Sequence, residues 1–204
     1  MLNVIARGVL SIYETINVPL FIQVTGDNND IVIEDASRFQ FDIGLLGLIA
    51  YLAIELCHKA ISEITWLGIG FLSLAIGNFI LALQTTPSFT QLYIGVYFLW
   101  GVGSPITTAV CVSALSKVLG TRQQGKWMGL LGSAASASRI ILPMLPPAFT
   151  SFNPLFWLNV SLCIIGVFLL FLFDYAVKKE KAKFLSSTIV APVDSTQSSL
   201  QSSE

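Results

Sequence analysis

Six apolar runs, each ended by a short polar link, leave this chain few ways to fold. About 20 residues rising 1.5 Å each match the roughly 30 Å hydrocarbon thickness of a bilayer. Inside lipid the backbone N–H and C=O groups of a run must pair within it, so such runs become helices. The expected spans are about 2–24, 39–57, 66–83, 92–119, 125–149 and 154–177. This makes the fold class all-α, a polytopic membrane bundle of six transmembrane helices. Composition agrees: 11% of residues are charged and the mean hydropathy is +0.75, against about 25% charged in soluble domains. Arg7 and Glu14 interrupt the first run and no small-residue cleavage pattern follows, so it reads as a span rather than a signal peptide. The basic stretch KKEKAK closes the last run, and residues 185–204, rich in Ser and Thr, are expected to form a disordered cytosolic tail.

Chemistry on bound groups is not indicated. Cys57, Cys111 and Cys163 each sit inside or at the end of an apolar run, and His58 is the only histidine. With no Walker-type glycine loop, no paired metal ligands and no nucleophile-His-acid set, the expectation is no enzyme, no cofactor, no metal and no nucleic-acid partner. The bilayer is the first partner. If the C-terminus is cytosolic, the N-terminus and the links between spans two and three and between spans four and five share its side. Arg7, Lys59, Lys117, Arg122, Lys126, Lys178, Lys179, Lys181 and Lys183 then lie inside, Arg38 outside and Arg139 within the membrane, as the positive-inside rule asks.

The polar residues inside the spans are the candidates for function. Glu14 lies about 18 Å into the first helix and Arg139 is at comparable depth in the fifth. Charged groups at that depth face protein or a water-filled cavity and mark ion or substrate paths. The two residues could pair and part as the protein changes state. Arg139 could also hold an anion, since guanidinium suits carboxylate and phosphate. Pro19 and Pro105 interrupt spans one and four at corresponding places of two three-helix halves, which suggests inverted repeats around a substrate site. With Gly101 and Gly103 nearby, span four is expected to be kinked. Thr107 and Thr108 follow Pro105 and are candidates either to satisfy freed carbonyls or to line the path.

Span five carries a ladder of small residues. Gly125, Gly129, Ser133 and Ala137 recur every four residues, with Gly132 and Ser136 alongside, so another helix could approach closely. Asn78 and Asn159 are expected to hydrogen-bond between helices. Glu55 and Lys59, four apart, are expected to form a surface pair.

The run SKVLGTRQQGKWMGLLGSAASASRIILP resembles the penultimate loop and eleventh helix of major facilitator superfamily carriers, in particular a lysosomal branch linked to neuronal ceroid lipofuscinosis. SIYETINVPL is similar to the seventh helix of the same carriers. The chain departs from the pattern with Leu142 rather than glycine before Pro143, and with Ser136, Ala137 and Ser138 at family glycines. The resemblance covers about residues 8–178 and implies the C-terminal six-helix half of a twelve-helix fold. It also implies a carrier moving a small solute or ion by alternating access, with kinked spans one and four lining the path, in a lysosomal or related endomembrane. The missing half would be supplied by a second copy, by a separate N-terminal half or by an upstream part of a longer polypeptide. Two alternatives stand beside this reading: a channel-like anion conductor with Arg139 in its pore, and a truncated, non-transporting half that binds a full-length relative.

Overall fold

The computed structural model describes residues 1–25, 29–57, 61–84, 88–119 and 124–189, of which 29–33, 118 and 180–189 are described by backbone alone. The described residues form helices and short links, with no strand among them. Six stretches are long and apolar enough to cross a membrane: Leu2–Thr25, Glu34–Cys57, Glu63–Ala82, Phe89–Lys117, Gln124–Ala148 and Asn153–Lys179. The chain divides into two compact units, Met1–Leu170 and Phe171–Glu204. Within the second, Lys178 pairs with Asp174 one helical turn away at 2.7 Å.

Helix α1 (Leu2–Thr25) is the most enclosed of the six spans and α6 (Gln124–Ile141) lies in the least enclosed, 61% of one span being buried against 6% of the other. The reason is visible in the spacing of α1. Val9, Ile12, Tyr13, Ile16 and Leu20 follow the i, i+3, i+4, i+7 rhythm of one helix face, and all are fully buried. They meet Phe71, Leu74 and Leu81 of α3 (Glu63–Ala82) and Leu155 and Phe156 at the start of α7 (Asn153–Ile189) in one core cluster.

Side-chain caps set several helix ends. Ser62 accepts the Thr65 N–H at 3.2 Å to open α3. Ser88 and Gln91 form a reciprocal capping box at α4 (Phe89–Val96). At the other end of α3, Asn153 donates to the Ala82 carbonyl at 2.8 Å, seating the start of α7 beside it.

Four boundaries differ from the sequence expectation. Helix α2 (Asn29–Cys57) begins ten residues before the expected Phe39, and Glu34 and Arg38 pair at 2.6 Å across one turn of the added length. Span four is interrupted rather than simply kinked: α4 passes into a π-helical stretch, Tyr97–Gly103, before α5 (Ser104–Leu119). Pro105 cannot donate to the carbonyl one turn back and its ring crowds that carbonyl, so the wider turn falls where an α-turn would clash. Span five is a helix only to Ile141, after which the prolines at 143, 146 and 147 leave two short 3₁₀ turns. Helix α7 runs on to Ile189, past the expected start of the tail at 185; residues 190–204 lie outside the described ones.

Glycines permit the closest crossings. A Cβ on Gly77 of α3 would stand 2.7 Å from the Gly95 carbonyl oxygen of α4, so both backbones meet where neither has a side chain. Gly8 of α1 leaves the gap that the Leu142 side chain enters, which accommodates the large residue found where the family pattern has glycine.

Candidate functional site

The Arg139 guanidinium donates to Glu14 Oε2 at 2.9 Å, joining α6 to α1 over 125 residues of sequence. Neither end is sealed: the Glu14 side chain is 34% exposed and that of Arg139 50%. Arg139, expected to face protein or a water-filled cavity, is half-exposed beside α1. It reaches α1 across the open side of the six helices, because α6 packs on α1 through another stripe. Met128, Leu131, Ala134, Ala135, Ser138 and Leu142 are the less exposed positions at helical spacing, with Ser138 buried.

The small-residue ladder consequently faces away. Gly125, Gly129, Gly132, Ser133, Ser136 and Ala137 are all exposed, and a Cβ on any of these three glycines would meet nothing within 4 Å. No described helix of this chain packs on the ladder.

Beside Glu14 a cavity of about 320 Å³ opens between α1, α2 and the π–α5 region. Arg7, Leu10 and Glu14 line it from α1, spaced three and seven residues along one face. Ile43, Gly44, Gly47, Leu48 and Tyr51 contribute from α2, and Trp100, Ser104 and Pro105 from the fourth span. Glycines at 44 and 47 create the space, since a Cβ at Gly44 would meet nothing within 4 Å. The walls are mostly apolar, so polar groups in it are conspicuous: one carboxylate, one guanidinium, two hydroxyls and an indole.

The sequence candidates divide around this cavity. Glu14 and Pro105 line it, and Arg139 reaches it through Glu14. Pro19 is exposed on α1 and is not among its lining residues. Thr107 is fully buried, its hydroxyl donating to the Gly103 carbonyl at 2.7 Å and near the Ser104 carbonyl at 3.2 Å, so it repairs the interruption before Pro105. Thr108 is half-buried and its Oγ1 has no partner among the described residues. Arg7, Tyr51, Trp100 and Ser104 were missed. Arg7 was assigned a topological role, although its seven-residue spacing from Glu14 puts both on one helix face; nothing local in the sequence marks the other three.

Two polar contacts hold the bundle rather than line the cavity. Asn159 donates to Asn78 Oδ1 at 2.9 Å and Asn78 donates to the Leu74 carbonyl at 2.8 Å, both amides fully buried. Glu63 accepts from Lys117 at 2.7 Å and from Ser113 at 2.6 Å, tying the start of α3 to α5. The expected partner of Glu55, Lys59, lies outside the described residues.

A polytopic α-helical bundle with an ion pair and a mostly apolar cavity carrying a few polar groups suits a membrane transport protein. The family model of the Major Facilitator Superfamily matches residues 43–200, well over half of the chain. The chain belongs to the Major Facilitator Superfamily, and is a transporter of that general type. Helix α1, which carries Arg7 and Glu14, precedes the matched residues. Neither a curated protein nor a solved structure matches the chain.

Proposed function

We propose that the chain forms one half of a major facilitator carrier and moves a small solute or ion by alternating access, with the cavity beside Glu14 as its share of the path. The Glu14–Arg139 pair carries this reading. An ionised side chain at mid-membrane costs about 2.5 to 3.5 kcal/mol on insertion scales. A pair left half-exposed, at 2.9 Å between α1 and α6, fits a water-filled path better than a lipid face. In this reading the pair forms in one state and parts in the other, and the interrupted fourth span moves against α3.

The covering half is part of the same proposal. The spans of α2 and α6 are 17% and 6% buried, and α6 presents its unpacked small-residue ladder beside the ion pair. Such a face suits close helix approach and not hydrocarbon. A second six-helix half, from a second copy, another subunit or a longer polypeptide of which this chain is part, would cover it. The positive residues favour both termini in the cytosol, and the resemblance of the α5–α6 region supports the endolysosomal branch and location.

Uptake into vesicles containing the purified chain and any copurifying subunit tests the reading. Saturable uptake that falls in both Glu14→Gln and Arg139→Gln is expected. Non-saturating currents would replace the carrier by an anion conductor, and silence in both assays would leave a non-transporting half.

A further inference from the structure

The polar groups around the cavity are unequal in kind. Arg7 makes no hydrogen bond or ion pair with the described residues, although its guanidinium has five N–H donors and no acceptor. The Trp100 indole Nε1, also donor-only, is buried without a partner among the described residues. The hydroxyl of Ser104 and that of Tyr51 accept and donate nothing within the described protein. Against these donors stands one carboxylate, and Glu14 already gives Oε2 to Arg139. A buried donor without an acceptor carries a cost that a ligand can remove. The charged groups are therefore short of one negative charge.

We infer that this cavity binds a small organic monoanion, a carboxylate held at Arg7 with an apolar body against Leu10, Ile43 and Leu48. The inference rests on the transport reading for the site's purpose and names its substrate class. Charge selects the acid: Arg7 supplies one uncompensated positive charge, while the neighbouring Glu14 carboxylate repels a dianion such as a phosphate monoester. Space selects the size. About 320 Å³ is at the lower end of the roughly 300 to 1,000 Å³ of ligand sites, and the bare faces of Gly44 and Gly47 provide it. Planar bidentate recognition of a carboxylate is what guanidinium offers and an ammonium does not. The Trp100 indole joins the site as a secondary donor when its ring shifts toward the bound acid.

Binding of benzoate, benzamide and benzylamine to the full chain in lipid nanodiscs tests this, with uptake of each into vesicles measured separately. Benzoate should bind at least about tenfold more tightly than either of the others. Arg7→Gln should remove that preference, Arg7→Lys should keep part of it, and Trp100→Phe should weaken benzoate by a smaller factor. Gly44→Val, which adds bulk into open space, should block benzoate while leaving thermal stability unchanged. Equal binding of acid and amide, preference for benzylamine, or an Arg7→Gln variant that still prefers benzoate would overturn the inference. Arg7-dependent benzoate binding without uptake would support the site and remove the transport reading; uptake of a cation indifferent to Arg7→Gln would do the reverse.

Discussion

Glu14 and Arg139 meet at 2.9 Å on the open side of the bundle, where α6 has no described neighbour of this chain other than α1 and the spans beside it. The pair is the one ionic link between the enclosed α1 and the least enclosed span among the described residues. Its removal should therefore act on the relation between these helices more than on the core.

A double-mutant cycle measures that link. Exposed ion pairs contribute about 0.2 to 1 kcal/mol, so Glu14→Gln and Arg139→Gln should each lower stability by no more than this. The double variant should cost less than the two singles added, with coupling of the same order. Thermal unfolding in detergent reads it, and strict additivity would show that the contact does not hold the helices.

The amide pair predicts the opposite pattern. Asn78 and Asn159 are fully buried and bonded at 2.9 Å, and hydrogen bonds between membrane helices average about 0.6 kcal/mol and reach about 1.7. Asn159→Ala should lower the melting temperature measurably while leaving the KM for any transported solute unchanged. A large KM change with normal stability would move these amides from packing to the path.

Glycines separate internal from external packing. Gly77→Ala places a Cβ 2.7 Å from the Gly95 carbonyl oxygen, a backbone contact that cannot swing aside, and overpacking of this kind costs about 1 to 3 kcal/mol. Gly129→Leu meets no atom of this chain near its Cβ. The second variant should unfold normally but lose assembly with a covering half, seen as a smaller complex in native membranes. Normal assembly of Gly129→Leu would show that the ladder is not an interface.

Gly8 and Leu142 should be mutually dependent. A Cβ at Gly8 meets only the tip of the Leu142 side chain closely, so Gly8→Ala should cost little, and Leu142→Ala in the same chain should remove that cost. Melting temperatures of the two singles and the double check this.

The spans were legible because lipid imposes one solution on an apolar run, and six helices of the described residues are long and apolar enough to cross a membrane. Glu14 and Arg139 stood out for the same reason, being charges where charge is costly. What could not be read were consequences of three-dimensional packing. The face of α6 that meets α1 is ordinary in sequence, while its small-residue ladder looked like the contact and turns away. Trp100, Ser104 and Tyr51 line one cavity with Arg7 and Glu14, with glycines at 44 and 47 opposite the fourth span. Arg7 had a sufficient explanation as a topology signal, which hid its place on the face of Glu14. The π stretch before Pro105 was foreseen only as a kink, since a proline marks where a helix must yield but not how.

Access to Gly44 from the two sides of a membrane tests the central claim most directly. With Cys57, Cys111 and Cys163 changed to serine, a Gly44→Cys variant would be labelled in sealed vesicles of each orientation by an impermeant thiol reagent. Alternating access biased by the Glu14–Arg139 pair predicts that Arg139→Gln shifts the ratio of labelling rates from the two sides by about fivefold or more, the lower range of allosteric coupling. A ratio unchanged by Arg139→Gln, or equally fast labelling from both sides in either variant, would contradict it.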